Sequence, residues 1–410
     1  MPKTSIRIPF PGPLPDPLII PRSATSLPVA SNYLAEFLRP NQKKSKTLFL
    51  TGAGLSTSSG LADYRGVGGT YTLNPSYRPI YYHEFLESHP SRQRYWARSF
   101  LGWPTMRAAR PNAAHHAIAT LASAGDISAI ITQNVDSFHT LAIGAEPKSS
   151  APAGTISSTI QRQSKVPIIE LHGYLRALVC ITCHNHLPRS EFQSRLSALN
   201  PKWARFLDEL IASGALATEN PEERKKLGFR TNPDGDAQIA GTDYSTFKYP
   251  PCPTCLANPP TLKDGSQGKV FTDDDGAWKP GSTVGVLKPN VTMFGENIHP
   301  EVRAAAENAV ETPHVDRVLV IGSSLATYSA WRLIKRAHDL GMKIGILNLG
   351  GVRKEDGFYS EEVRDGKIES GRNGIRLSLK AEDILPEVVK LLGASERQHV
   401  SRAIIEQITS

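Results

Sequence analysis

TGAGLSTSSGLADYRG, residues 51–66, follows directly on the apolar run TLFL at 47–50. A buried strand running into a glycine turn is how an open α/β sheet offers backbone N–H groups to a phosphate-bearing ligand. Gly52 and Gly54 leave the backbone bare enough for a pyrophosphate to approach, and a helix beginning beyond them would add its dipole. Two features separate this turn from an ordinary dinucleotide fingerprint. Thr57 stands where a third glycine would be, and no acid follows at the usual place for holding an adenosine ribose. Taken alone, the turn also suits a tight strand-to-helix connection that binds nothing.

The same rhythm recurs along the chain. SAIITQNVD (128–136), RVLVIGSSL (317–325) and KIGILNLG (343–350) are short apolar runs that end in Gly, Asn, Gln or Ser. Helical patterns lie between them, at NAAHHAIATLASAG before the second run and SAWRLIKRAHDLG between the third and fourth. Such alternation predicts a doubly wound parallel α/β sheet, and the unbroken apolar runs predict strands buried on both faces. SNYLAEFLRP reads as a short helix capped by Ser31 and stopped by Pro40. Two segments break the rhythm. Residues 141–167 are rich in Ser, Ala and Pro and read as a flexible surface insertion. Residues 174–285 hold all the cysteines, a helical piece (190–216) and a polar remainder rich in Gly, Pro and Asp, and read as a lobe inserted into the sheet domain. The expected organisation is a Pro-rich leader with a short helix (1–45), a sheet domain from 46–173 and 286–393 that includes a helical module at 67–110, the inserted lobe, and a tail at 394–410.

The chain has 410 residues, 40% hydrophobic and 21% charged, the composition of an ordinary soluble globular protein. No apolar run approaches the roughly 18 residues of a membrane span. A net charge of +8 suits a mitochondrial matrix or nuclear protein or an acidic partner. A mildly basic solvated surface accounts for it as well, and direct nucleic-acid binding is not expected. The leader carries Lys3, Arg7 and Arg22 against the single acid Asp16, which suits import into mitochondria, whereas prolines 9, 11, 13, 15, 17 and 21 do not suit an amphipathic presequence helix. The expected compartment is the mitochondrial matrix, with nucleus or cytoplasm as alternatives.

Cys180 and Cys183 form one C-x-x-C pair, Cys252 and Cys255 the other, and there is no further cysteine. Four cysteines are too few for a disulfide scaffold. Two such pairs can supply four thiolates to one tetrahedral zinc, which would imply a reducing compartment. The 68 residues between the pairs exceed what a compact zinc ribbon needs, so spacing by itself leaves redox or unpaired thiols open.

As a whole string, GAGLSTSSGLADYRG resembles the sirtuin signature. TQNVD (132–136), LHG (171–173), GSSL (322–325), NLG (348–350) and the two C-x-x-C pairs match the same family in the right order. The resemblance covers roughly residues 30 to 393. RQRYWARSFLGWP (92–104), PNAAH (111–115) and VTMFGENIHP (291–300) look like the mitochondrial class II members. The resemblance implies a variant Rossmann-like sheet with an inserted small lobe made of a zinc module and a helical module. It also implies NAD as co-substrate and one structural zinc on Cys180, Cys183, Cys252 and Cys255. Ala62 departs from the family, which usually has proline there. Its loss removes a φ restraint, so the loop is expected to be more mobile, with Asp63, Tyr64 and Arg65 retained for binding.

What the resemblance implies for single residues follows from its motifs. His172 would be the base that takes a proton from a ribose hydroxyl, a task that suits a group titrating near neutrality. Gly173 would leave room for substrate backbone. Gln133 would bond the nicotinamide ribose, while Asn134 and Asp136 would line the nicotinamide pocket and share in catalysis. Gly52, Ala53, Gly54, Ser56, Asp63, Tyr64 and Arg65 would hold the cofactor from one side. Gly322, Ser323 and Ser324 would meet its second phosphate and ribose, and Asn348 and Leu349 its adenosine half. Val291, Phe294 and Gly295 would meet the substrate. Tyr95 and Arg98, spaced to share a helix face, would bind the carboxylate of an acidic acyl group; the plainer reading is that Tyr95 packs and Arg98 is solvated. The implied activity is removal of an acyl group (acidic, branched or lipoyl rather than acetyl) from protein lysines onto ADP-ribose, with release of nicotinamide. Mono-ADP-ribosyl transfer to protein and non-catalytic NAD sensing are the competing functions. The expected partners are acylated protein lysines, with no membrane and with the chain as a monomer.

Overall fold

The computed structural model describes residues 6–39, 45–145, 160–161, 166–216, 229–239, 241–367 and 370–393. Most of the 141–167 insertion and the 394–410 tail lie outside the described residues. The strands, in chain order, are β1 (Lys46–Thr51), β2 (Ile127–Thr132), β3 (Ile160–Gln161), β4 (Ile168–Glu170), β5 (Gly173–Cys180), β6 (His186–Pro188), β7 (Phe229–Thr231), β8 (Ala237–Ile239), β9 (Leu287–Val291), β10 (Val315–Ile321), β11 (Lys343–Leu347) and β12 (Ile375–Leu377).

The large sheet has the order β12-β11-β10-β1-β2-β4-β3, and all its pairings are parallel except β3 with β4. The chain winds outward from β1 in both directions, which places the topological switch between β1 and β10. Ligands of such sheets bind there, beyond the carboxyl ends of the strands. Along β1, Phe49 faces a layer built on helices Leu27–Leu38, Ala113–Ala124 and Ala381–Leu391; Leu48 and Leu50 face helices Pro300–Glu311 and Tyr328–Asp339. Burial on both faces explains why these strands read as continuous apolar runs rather than as alternating ones.

Local differences from the expectations have physical reasons. The first helix begins at Leu27 rather than after Ser31, because Pro28 suits a first turn; the Ser31 hydroxyl donates to the Leu27 carbonyl from inside the helix. The helical piece at 190–216 is two helices, Arg189–Leu199 and Pro201–Ala212, broken where Pro201 lacks an N–H. The glycine turn leads into a seven-residue 3-10 helix, Ala53–Ser59, closed by Gly60 in the left-handed region. From Ile6 onward the Pro-rich leader packs on the fold, with bridges from Ile6 to Asn297, Pro9 to Thr327 and Ile20 to Arg376.

The small lobe is centred on a second sheet, β6-β5-β9. Its core joins Phe85, Trp96 and Phe100 from the helical module to Leu178, Phe192, Phe247, Tyr249 and three of the cysteines. The zinc segment and helices Tyr82–Glu87 and His89–Ala108 therefore share one core. The lobe runs from Gly173 to Val291, where β5 and β9 pair, a little beyond the expected 174–285. Gly173 (φ +77°) sits where an added Cβ would lie 2.1 Å from the Asn290 carbonyl oxygen. Its bareness serves the approach of β9, not substrate backbone as expected.

Gly322 (φ +59°) stands just past β10, where a Cβ would lie 2.3 Å from the Leu55 backbone nitrogen. Gly322→Ala is therefore expected to cost about 2 kcal/mol or more of unfolding free energy, from a left-handed conformation and a backbone clash together, as read by denaturant titration.

Candidate functional site

A cavity of about 870 Å³ lies beyond the carboxyl ends of β1, β2, β10 and β11. Its volume falls in the range of cofactor sites. The turn after β1 brings Gly52, Ala53, Gly54 and Ser56 to its wall, and the following loop adds Asp63, Tyr64 and Arg65. Gln133, Asn134 and Asp136 enter from the end of β2, Gly322, Ser323 and Ser324 from the end of β10, and Asn348 and Leu349 from the end of β11. His172, Phe294 and Arg98 line it as well. Three expected site residues do not. Val291 packs with Met106, Val135 and Leu175. Tyr95 is buried against Phe85 and Trp96. Gly295 donates its N–H to the Arg7 carbonyl (2.9 Å).

The polar groups at the end of β2 form one network. The Ser56 hydroxyl donates to Asp136 Oδ2 (2.7 Å) and accepts from Asn134 Nδ2 (3.1 Å). Gln133 donates through Nε2 to Ser323 Oγ (2.7 Å) and accepts at Oε1 from the Thr327 hydroxyl (2.9 Å), tying β2 to the turn after β10. Burial pushes the Asp136 carboxyl up to about 6, despite the Phe138 N–H and the Ser56 hydroxyl that favour its charge. Asp136 is thus poised near neutrality at the deep end of the site.

His172 occupies the two-residue link between β4 and β5, where the large sheet passes into the small lobe. It is 1% exposed. Its Nδ1 lies 3.2 Å from the Gln133 carbonyl and its Nε2 2.8 Å from Ser329 Oγ. A carbonyl only accepts, so Nδ1 carries the proton and Nε2 offers its lone pair to the Ser329 hydroxyl. Burial, and then the nearby charge of Arg7, hold this imidazole well below the ordinary histidine range, so it is neutral at pH 7. The adjoining Glu170 is fully buried and clamped by both terminal nitrogens of Arg176, at 2.7 and 2.8 Å, which fixes the link.

Arg98 does not stand free. Its Nη2 is 2.8 Å from Asp236 Oδ2, and both side chains are largely buried. Asp236 and Asp234 come from the turn of the β7–β8 hairpin, where Asn232 Oδ1 accepts from both of their N–H groups and Asn232 Nδ2 donates to the Tyr77 hydroxyl. Gly102 lets that turn approach helix His89–Ala108, since a Cβ there would lie 2.5 Å from the Gly235 carbonyl. Sequence reasoning missed Arg7, Ser329, Asp234 and Asp236. The two aspartates stand in a polar stretch with no periodic signal, and only the fold carries them to Arg98.

The four cysteines converge as expected. Their Sγ atoms all lie within 4.8 Å of one another, with Cys180–Cys255 and Cys183–Cys252 at 3.6 Å. Tetrahedral zinc with bonds of about 2.3 Å places its sulfurs about 3.8 Å apart, so the cluster fits one structural ion with no coordination position left for water. The Ile181 N–H bonds the Val286 carbonyl and the Cys252 N–H the Gly285 carbonyl, locking the two knuckles together.

The sequence model of the Sir2 family matches residues 52–150 and 160–329. An NAD-dependent protein deacylase SIR4 of Batrachochytrium dendrobatidis is 38% identical over 80% of this chain and 88% of its own. The NAD-dependent protein deacylase SRT2 of Arabidopsis thaliana is 36% identical over 77% of this chain and 69% of its own. A solved Sir2 structure with a deacetylated peptide and an acetyl ADP-ribose shares the fold, at TM-score 0.51 and 21% identity over 88% of this chain and 98% of that one.

Burial drives His139 down to about 4 and His115 well below the ordinary range, as it does His172. Unfolded, all three would titrate near 6.5. Below that pH the unfolded chain binds more protons than the folded one, so stability present above about 6.5 is lost as the pH falls towards 4. Asp136, with its pKa raised to about 6, opposes this, as do Asp63, Asp236 and Glu355, whose carboxyls burial also pushes up, while His89 and His186, held down by burial, act with the three imidazoles. The melting temperature is expected to fall steadily from pH 7 to pH 5, and His139→Gln to flatten that slope in differential scanning calorimetry.

Proposed function

Since the chain belongs to the Sir2, or sirtuin, family, it is an NAD-dependent protein deacylase, and we propose that the acyl group it removes from lysine is uncharged and bulkier than acetyl. NAD, when bound, supplies the ribose that receives the acyl group and the nicotinamide that leaves. The carrying observation for the chemistry is His172, a buried neutral imidazole beside the cofactor cavity whose unprotonated Nε2 accepts from the Ser329 hydroxyl and is freed for a ribose hydroxyl when that hydroxyl turns away. Such a group can take a proton from a ribose hydroxyl at neutral pH without first losing one of its own. The Gln133 carbonyl holds the required tautomer, and Ser329, which hydrogen-bonds Nε2, is a positioning residue. The bare turns at Gly52, Gly54 and Gly322 suit the pyrophosphate, and the Ser56–Asn134–Asp136 network suits the amide of nicotinamide.

The acyl preference rests on Arg98. Its guanidinium is already paired with Asp236 through Nη2, so an acyl carboxylate would meet a positive charge that is already matched. The incoming carboxylate would then face Asp234 and Asp236 together. The end of the site therefore favours a branched or lipoyl chain over succinyl or glutaryl.

Nicotinamide release with lysine peptides carrying acetyl, succinyl, glutaryl, lipoyl and branched acyl groups tests both statements. Lipoyl or branched peptides are expected to exceed succinyl and glutaryl about ten-fold in kcat/KM, Asp236→Asn to narrow that gap, and His172→Ala to lower every rate by about 10²–10⁴. A preference for succinyl or glutaryl in the unaltered protein would overturn the acyl reading. Transfer of label from NAD to protein without any acyl-lysine would favour mono-ADP-ribosyl transfer instead.

A further inference from the structure

Residues Ile6–Phe10 are laid between two loops at the mouth of the cavity. On one side the Arg7 N–H donates to the Glu296 carbonyl (3.0 Å) and the Gly295 N–H to the Arg7 carbonyl (2.9 Å). On the other side the Tyr328 N–H donates to the Ile8 carbonyl (3.0 Å) and the Phe10 N–H to the Ala326 carbonyl (2.5 Å). Both edges run antiparallel to the segment, through bridges of Ile6 with Asn297 and Pro9 with Thr327. This is strand addition, the mode in which main-chain hydrogen bonds hold an extended peptide whatever its sequence and pockets read its side chains. The loops are the ones that border His172: the Thr292 N–H bonds the His172 carbonyl, and Ser329, one residue beyond Tyr328, bonds its ring.

The side chain sent inward from this segment is Arg7, 2% exposed. Its guanidinium donates to the Thr292 carbonyl (2.9 Å), the Tyr64 hydroxyl (3.1 Å) and Asp234 Oδ1 (2.9 Å), and stacks over Phe294 with its carbon 4.3 Å from the ring centre. Tyr64 belongs to the cofactor loop and Asp234 to the hairpin that closes the acyl end. A long basic side chain thus enters from an extended backbone and reaches between the cofactor wall and the acyl pocket, the path a peptide lysine must take to bring its acyl carbonyl to the ribose. Arginine cannot be deacylated and its charge is matched by Asp234, so it fills this path without reacting.

We propose that Ile6–Phe10 is a pseudosubstrate: it occupies the groove that takes the lysine-bearing peptide, with Arg7 where the acyl-lysine belongs, and an incoming substrate must displace it. The inference rests on the deacylase reading of the same site. The segment is tethered close by. The Ile20 N–H bonds the Arg376 carbonyl and the Leu18 N–H bonds Glu355, which is paired with buried Arg376. Between tether and groove run prolines 11, 13, 15 and 17, a composition that holds a chain extended and keeps the segment at high local concentration. The groove itself is generic in backbone terms and takes as partner an extended peptide with one acylated lysine.

A groove closed about nine-tenths of the time raises the apparent KM for peptide about ten-fold. In the full chain, Arg7→Ala is therefore expected to lower KM for an acyl-lysine peptide about ten-fold. A synthetic peptide of residues 1–15 carrying Arg7→Lys with an acyl group on that lysine is expected to be deacylated, and the unmodified 1–15 peptide to inhibit the Arg7→Ala protein competitively against substrate peptide. If KM is unchanged or rises and the acylated 1–15 peptide is not turned over while an unrelated acyl-lysine peptide is, the segment is a structural strap and the proposal is overturned. If no acyl peptide is turned over by either protein, the deacylase reading falls first and takes the proposal with it.

Discussion

The carboxyl ends of β1 and β10 approach each other more closely than any side chain would permit. A Cβ on Gly52 would lie 2.7 Å from Ser323 Cβ, one on Gly54 3.0 Å from the Gly322 carbonyl, and one on Gly322 2.3 Å from the Leu55 nitrogen. The contact sits at the switch point of the sheet, where the chain winds away on both sides and leaves a crevice. Because backbone meets backbone there, Ser323 is close enough to receive Gln133 from the neighbouring strand, and Gln133 in turn holds Thr327. The peptide-binding edge at Ala326–Tyr328 and the histidine that Ser329 touches are thus positioned through the same turn. Opening that contact would loosen the cavity wall, His172 and the Ala326–Tyr328 edge at once.

Around this core the site is made of buried charges in matched pairs. Glu170 with Arg176 fixes the link that carries His172, Arg98 with Asp236 holds the β7–β8 hairpin to helix His89–Ala108, and Arg7 with Asp234 ties the leader to the same hairpin. Buried pairs contribute little net stability, but removing one partner leaves an uncompensated charge. Arg7 differs from the others in that its segment could leave as a unit, which would hand Asp234 to whatever enters. Each pair joins elements far apart in sequence, so the charges act as registers for the lobes as well as neutralising one another.

Much of the fold was legible because its strands are buried on both faces. The runs before TGAGLS, TQNVD, GSSL and NLG announce β1, β2, β10 and β11, and each ends in the residues that face the cavity. β12 and β3, of three and two residues, are too short to carry a pattern. Tyr95 and Arg98 share a helix as their spacing indicates, yet the helix turns Tyr95 into a core of aromatic rings and gives Arg98 to Asp236. Val291, at an expected substrate position, is consumed by the packing of β9 on β5. Periodicity reports which residues share a face and not what that face meets.

What the sequence determined by itself is the local chemistry: glycine turns after apolar strands, a histidine at a strand end, and two C-x-x-C pairs able to supply four thiolates to one metal ion. These are short-range features, in which residues a few positions apart decide backbone conformation and ligand geometry. Only the tertiary structure decided what those features face. Asp234 and Asp236 reach Arg7 and Arg98 across 227 and 138 positions of chain, and Arg7 reaches the mouth of the site across 285 positions to Thr292. Contacts of that separation depend on how lobes and leader pack, through burial and charge pairing that no local pattern encodes. The string at 51–66 therefore pointed to a cofactor site through its resemblance to a known family, while the proline-rich segment laid over it came to light only in the folded chain.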